Sequence, residues 1–158
     1  MSLELTPEEA RALDLGHRWG LISRDRIKGI ADELIEASVG NPSSEICELA
    51  VCKRDFQINE VLSQFHDKLN KWPPVVVLLK KYLNLRQLDK GEKYSLFYSI
   101  SNYADWNDPE PWRTIKIRTH ELSDARQKIW GDEGSVAEEK RITEEILSTL
   151  LSLSLIHI

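Results

Sequence analysis

Residues 19–23, Trp-Gly-Leu-Ile-Ser, constrain the fold most, because they combine the end of one helix with the start of another. Glycine readily adopts the left-handed conformation found just past a helix end, and Gly20 fits that position. Ser23 can cap the helix that follows. Upstream, residues 6–9 (Thr-Pro-Glu-Glu) have the composition of a capping box with proline in the first turn. The N-terminal part is therefore predicted to form two helices joined by a tight turn.

The spacing of apolar residues predicts further helices along the chain. In residues 24–36 apolar side chains recur every three or four positions, with charged side chains between them. Similar stripes predict short helices within residues 43–50 and 55–69 and a last helix from Ser135. Residues 75–83 are apolar almost all round, which favours a central helix, although a buried strand has the same short pattern.

Two segments are compatible with either strands or helices. Residues 94–100 and 114–119 alternate in the manner of strands, whereas helical spacing also fits residues 89–104, and a helix is expected over residues 121–130. We predict an all-α fold, a compact bundle or short solenoid of about seven to eight helices. The alternative is an α+β fold with a small hairpin near residues 94–119.

The length of the chain, 158 residues, is typical of one domain with a buried core. We therefore predict a single helical domain over residues 1–152. Residues 153–158, Leu-Ser-Leu-Ile-His-Ile, match the forward translation of a widely used transposon-based sequencing adapter. This match predicts that residues 153–158 are not native, and the alternative is a native apolar helix end.

The charge balance argues against a nucleic-acid partner. The chain has 26 acidic and 21 basic residues, and its lysines and arginines form no dense positive patch. No apolar run approaches the roughly 18 residues of a membrane span, and residues 1–10 lack the features of a signal peptide. We expect a cytoplasmic protein without nucleic-acid or membrane partners; its oligomeric state is not indicated by the sequence.

The histidines and cysteines form no recognised catalytic or metal-binding motif. They are His17, His66, His120, His157, Cys47 and Cys52. Their spacing does not match a zinc site, so no metal and no cofactor are expected. Both cysteines are expected to be buried and reduced. The alternative to a non-enzymatic protein is a hydrolase-type enzyme in which Cys47 or Cys52 pairs with His17 or His66. A structural subunit is a third possibility.

The loop over residues 103–112 is acidic, bounded by prolines and contains two tryptophans. Exposed aromatic side chains on a stiff loop are typical anchors for a protein partner, and a carboxylate rim steers basic partners. The alternative is that the tryptophans seal the ends of the helices. The candidate partner-binding residues are Tyr103, Asp105, Trp106, Asp108, Glu110 and Trp112.

Two segments resemble the bacterial domain-of-unknown-function family 2247. The first comprises residues 19–23, the helix rich in Ile and Ala that follows, and residues 48–50 (Glu-Leu-Ala). The second, residues 103–110, is similar to the family's YADF-x-x-PE element, with Trp106 in place of phenylalanine. The resemblance covers residues 17–110, and the sequence after Glu110 departs from the family pattern.

The resemblance implies a function as well as a fold. The family consists of small cytoplasmic helical proteins, and some are encoded beside polymorphic toxins. It supplies no catalytic residues that could be carried over to this chain. The resemblance therefore implies a non-enzymatic protein that binds another protein, such as a toxin domain, and neutralises it by steric and electrostatic blocking.

Overall fold

The computed structural model describes residues 5–38, 40–65, 69–128 and 133–155, which contain eight α-helices and no strand. The all-α prediction is confirmed, and the hairpin alternative is wrong. The helices are α1 (Pro7–Arg18), α2 (Arg24–Ala37), α3 (Ser44–Ala50), α4 (Asp55–Ser63), α5 (Pro73–Val77), α6 (Lys90–Tyr103), α7 (Trp112–Gln127) and α8 (Glu133–Ser154).

The chain divides into two compact units, Met1–Leu83 and Asn84–Ile158. Helices α1 to α5 belong to the first unit and α6 to α8 to the second. The single domain over residues 1–152 stays a prediction. Among the described residues, no helix combines the length and apolar character that a membrane crossing requires.

The predicted helix pair at the N-terminus is confirmed. Thr6 Oγ1 accepts from the Glu9 backbone N–H at 3.1 Å, and the Glu9 carboxylate accepts from the Thr6 N–H at 2.9 Å. This reciprocal pair closes the capping box of α1. Gly20 has a φ of 74° after the helix end, and Ser23 Oγ accepts from the Arg26 N–H at 3.1 Å.

In the first unit, α1 packs against α4 and α5, and α2 packs against α3. The apolar stripes of these helices supply the core, which includes the fully buried Leu13, Ile27 and Leu62. Helix α5 continues into a π-helical turn over Leu78–Tyr82, so the helix favoured for this apolar segment is confirmed. Leu78, Leu79 and Tyr82 of that turn are buried, which fits the predicted central position.

In the second unit, α7 packs against both α6 and α8. Helix α7 begins at Trp112, well before residue 121, and includes the alternating segment 114–119. Ile115, Thr119 and Leu122 are buried at helical spacing, whereas Ile117 is 38% exposed. Alternation was therefore misleading, since Ile117 does not belong to the core.

Helix α8 carries the predicted apolar face, because Ile142, Ile146 and Leu150 are buried. It begins at Glu133, so Ser135 lies inside the helix and is not its cap. The expected helix stop at Gly131 lies outside the described residues. Residues 156–158 also lie outside them, and the adapter origin of residues 153–158 stays a prediction.

Gly16, in the last turn of α1, allows α1 to approach its neighbours closely. A Cβ atom at Gly16 would lie 2.5 Å from Cδ1 of Ile22 and 2.9 Å from Cδ1 of Leu78, both buried. Overpacking costs about 1–3 kcal/mol, which exceeds the gain of up to about 1 kcal/mol from replacing glycine by alanine in a helix. We expect Gly16→Ala to lower the free energy of unfolding by about 1 kcal/mol, as measured by urea denaturation.

Gly29 in α2 provides a matched control, because no atom lies within 4 Å of a Cβ built there. Gly29→Ala is expected to raise the free energy of unfolding by about 0.5–1 kcal/mol, since only helix propensity changes. The two substitutions therefore have opposite signs. A stabilising effect of Gly16→Ala would contradict the close contacts of α1 with Ile22 and Leu78.

Candidate functional site

The connection between α6 and α7 is held by its own hydrogen bonds. The Asp105 N–H donates to the Asp108 carboxylate at 2.7 Å, and the Asp108 N–H donates back to the Asp105 carbonyl at 3.0 Å. The Glu110 carboxylate accepts from the Thr114 N–H at 3.2 Å and from the Thr114 hydroxyl. The peptide bond between Glu110 and Pro111 is cis. The hydrogen bonds of Asp105, Asp108 and Glu110 give the loop a defined conformation at the start of α7.

Trp106 is 54% exposed, yet its ring has two partners. It stacks on His120 with 5.1 Å between ring centroids and 27° between planes, and the Lys116 Nζ lies 5.0 Å from the centroid. Lys116 and His120 are four residues apart and share one face of α7. Lys116 is itself fixed, because its Nζ donates to the Ser101 carbonyl at 2.6 Å. The Trp106 ring is thus held at the surface by α7.

The structure brings only part of the predicted site to the surface. Asp105, Trp106 and Glu110 are exposed, whereas Tyr103 and Asp108 are half-buried. Trp112 is 4% exposed and lies in the core at the first turn of α7, so its expected exposure is wrong. The reason is helical geometry: the face of α7 that carries Trp112 also carries the buried Ile115 and Thr119.

Sequence reasoning missed the contribution of α7 to this surface. Arg113, Lys116, Ile117 and His120 follow the spacing of one helix face. The rim of the loop is therefore mixed in charge and not purely acidic, because two of these residues are cations. The helical spacing of these four residues is present in the sequence, but it becomes recognisable only if the helix begins at Trp112.

Cys47 and Cys52 differ in their surroundings. Cys52 is 5% exposed, as expected, and its Sγ donates to the Glu48 carbonyl at 3.2 Å. Burial and the Glu48 charge raise the pKa of the Cys52 thiol, which disfavours the nucleophilic thiolate. Cys47 is exposed, so its expected burial is wrong: its side chain faces away from the buried stripe of Ile46 and Leu49.

His17 forms hydrogen bonds with polar side chains of α4. Its Nδ1 lies 2.8 Å from Oδ1 of Asn59, and its Nε2 lies 3.1 Å from Oδ1 of Asp55. His66 lies outside the described residues. Within the described part of the chain, no cysteine is hydrogen-bonded to a histidine, and no cluster of three His, Cys, Asp or Glu residues could hold a metal ion.

Asp14 is a buried charged residue that sequence reasoning did not single out. It is 1% exposed, and its carboxylate accepts from Arg11 Nη1 at 2.8 Å and Arg18 Nε at 2.9 Å. It also accepts from Asn59 Nδ2 at 2.6 Å, and Asn59 in turn contacts His17. This network joins α1 to α4. The hydrogen bonds between the side chains of Asp14, Arg11, Arg18 and Asn59 indicate a structural role.

Comparisons with family models, with curated proteins and with solved structures found no match to this chain.

Proposed function

We propose that this chain is a non-enzymatic binding protein that contacts another protein through the exposed surface around Trp106. The observation that carries the proposal is that Trp106 is 54% exposed while its ring stacks on His120 and contacts the Lys116 ammonium of α7. Tryptophan is enriched among the residues that dominate binding energy at interfaces. A ring that is already positioned loses little side-chain entropy on binding. Both properties favour a role as an anchor.

The Trp106 surface, defined as Trp106, Arg113, Lys116, Ile117 and His120, combines apolar and cationic groups. Ile117 is 38% exposed and provides a second apolar side chain on the same face of α7. Interfaces commonly have such an apolar centre within a polar rim, with arginine enriched. Both the composition of this surface and the position of the Trp106 ring are therefore suited to binding a protein partner.

The loop carboxylates supply the remaining part of the rim. Asp105 and Glu110 are exposed, although Glu110 also accepts hydrogen bonds from Thr114. They would approach basic side chains of a partner and steer association. That the partner is a toxin domain, neutralised by steric and electrostatic blocking, rests on the resemblance to family 2247. A cytoplasmic location rests on the same resemblance.

A double substitution tests the proposal. The partner to assay is the protein encoded beside this one, with titration calorimetry as the measurement. Trp106→Ala with Asp105→Ala is expected to weaken binding by more than about 30-fold, because truncating a central aromatic anchor costs about 2 kcal/mol or more. Circular dichroism is expected to be unchanged, since Trp106 lies outside the buried core.

Phe56→Ala is the matched control, because Phe56 is an aromatic residue of α4 that is 56% exposed. It removes a similar exposed ring from the other unit and is expected to leave the affinity unchanged. Equal affinity of the wild type and the Trp106/Asp105 variant would contradict the role of the Trp106 surface. If the Trp106/Asp105 variant and Phe56→Ala lost the same affinity for the partner, the location of the binding site at the Trp106 surface would be contradicted.

The hydrolase alternative has less support. The raised pKa of the Cys52 thiol disfavours its use as a nucleophile. His17, the proposed base, is hydrogen-bonded to Asn59 and Asp55. A purely structural subunit would not need an exposed tryptophan whose ring is held in place, so Trp106 favours the binding protein over this third alternative.

A further inference from the structure

A groove of about 400 Å³ lies between α6 and α8 in the unit Asn84–Ile158. On α6 it is lined by Lys90, Lys93 and Tyr94, whose spacing places them on one helix face. On α8 the facing stripe includes Val136 and Lys140. The groove does not involve the Trp106 surface, because none of its lining residues belongs to α7 or to the preceding loop.

The lysines of the groove are only partly neutralised. Lys90 Nζ lies 3.4 Å from the carboxylate of Glu139, which is 6% exposed and also accepts from the Tyr94 hydroxyl. Among the residues that the structure describes, neither Lys93 nor Lys140 forms an ion pair. Two cationic side chains at one groove are thus available for a ligand of opposite charge.

An additional cation, Arg126, lies over the ring of the lining residue Tyr94. The Arg126 guanidinium is 4.0 Å from the centroid of the Tyr94 ring, on the way to its hydrogen bond with the Tyr98 hydroxyl at 3.2 Å. The two carboxylates of the lining, Glu139 and Glu144, are therefore outnumbered by nearby cations. The local field favours an anion.

The groove also offers apolar surface and a hydroxyl group. Val136 is 52% exposed and lines the groove together with Tyr94. The hydroxyl of Thr143 lies close enough to that of Tyr94 to influence its pKa. Its buried Oγ1 nevertheless has no hydrogen-bond partner of good geometry among the described residues.

We propose that this groove binds a small organic phosphate. Lys93 and Lys140 contact the phosphate as point charges. The organic part of the ligand packs against Tyr94 and Val136. The volume supports this class of ligand, since about 400 Å³ is within the range of small-molecule sites and larger than a bare phosphate ion requires.

Titration calorimetry on the full chain tests this with phenyl phosphate as the probe. Phenyl phosphate is expected to bind more tightly than inorganic phosphate, which lacks the ring, and more tightly than phenol, which lacks the charge. Its affinity is expected to fall as ionic strength rises, because salt screens partly exposed charges. Absence of binding, or phenol and phenyl phosphate binding equally, would overturn the proposal. Inorganic phosphate binding as tightly would overturn the apolar contact with Tyr94 and Val136.

Substitutions locate the site. Lys93→Gln with Lys140→Gln is expected to weaken phenyl phosphate binding about tenfold, since each partly exposed charge pair contributes up to about fivefold. Lys53→Gln with Lys128→Gln removes the same charge from exposed positions outside the groove and is expected to leave binding unchanged. Equal affinities in the two double variants would overturn the location.

Trp106→Ala separates this inference from the proposed function. It is expected to retain phenyl phosphate binding, because Trp106 contacts Lys116 and His120 and does not line the groove. Loss of phenyl phosphate binding in Trp106→Ala would show that the ligand binds at the Trp106 surface instead.

Discussion

Replacing Phe97 by alanine is expected to lower the free energy of unfolding by about 4 kcal/mol. Phe97 lies in α6, is completely buried and is among the largest fully buried side chains of the described chain. Its removal loses the transfer free energy of the ring and leaves a cavity that the packed helices cannot fill without moving. Urea denaturation followed by circular dichroism measures the change.

The exposed Phe56 is the control for this substitution. Phe56→Ala makes the same chemical change at a side chain that is 56% exposed, so the free energy of unfolding is expected to change by less than about 0.5 kcal/mol. If both variants lost the same stability, or if Phe97→Ala lost less than about 1 kcal/mol, the position of Phe97 in the core would be refuted.

Asp14→Ala is expected to lower the free energy of unfolding by about 2–3 kcal/mol. The substitution removes the acceptor of the bonds from Arg11, Arg18 and Asn59. Breaking a fully buried ion pair costs about 3–5 kcal/mol, and the value is discounted here because the Arg18 side chain is 54% exposed and can return to water. The amide of Asn59 is half-buried and has less freedom to do so. Thermal unfolding at neutral pH measures the loss.

A double-mutant cycle identifies the physical cause. Asp14→Ala and Asn59→Ala are expected to be non-additive by about 1 kcal/mol, because their side chains share a hydrogen bond of 2.6 Å. Asp32→Ala, at an exposed position of α2, serves as the control and is expected to have an effect within about 0.5 kcal/mol. Full additivity in the cycle would show that the two side chains do not interact.

The stability predictions and the binding predictions concern different residues. Phe97 and Asp14 are buried and act through packing and internal hydrogen bonds, whereas Trp106 is exposed and contributes little to the core. A variant that loses partner binding while retaining its unfolding transition is therefore attributable to the surface. This separation makes the Trp106 test informative.

Local features of this chain were predictable because their hydrogen bonds link residues close in sequence. The capping box of Thr6 and Glu9 joins residues three apart, and the Ser23 cap reaches only to Arg26. The conformation of Gly20 likewise depends on the preceding helix end. The same local rules predicted the all-α class, since apolar residues at helical spacing must bury a stripe.

The sequence pattern failed where a side chain's surroundings come from distant residues. Ile117 reads as a strand residue in its own segment, but only the packing of α7 on α6 and α8 shows that it lies outside the core. Trp106 and Trp112 lie only six residues apart, yet Trp112 is 4% exposed and Trp106 is 54% exposed. The difference depends on how each ring packs against the helices of the unit.

The sequence by itself determined the helix boundaries near the N-terminus and the helical class, because capping and periodicity are local. Tertiary structure decided which polar groups are buried and which aromatic groups are presented. Asp14 acquires its Asn59 partner from 45 positions away, and the groove of Lys93, Lys140 and Thr143 exists only once α6 and α8 face each other. Long-range packing sets burial, and burial determines which side chains can bind.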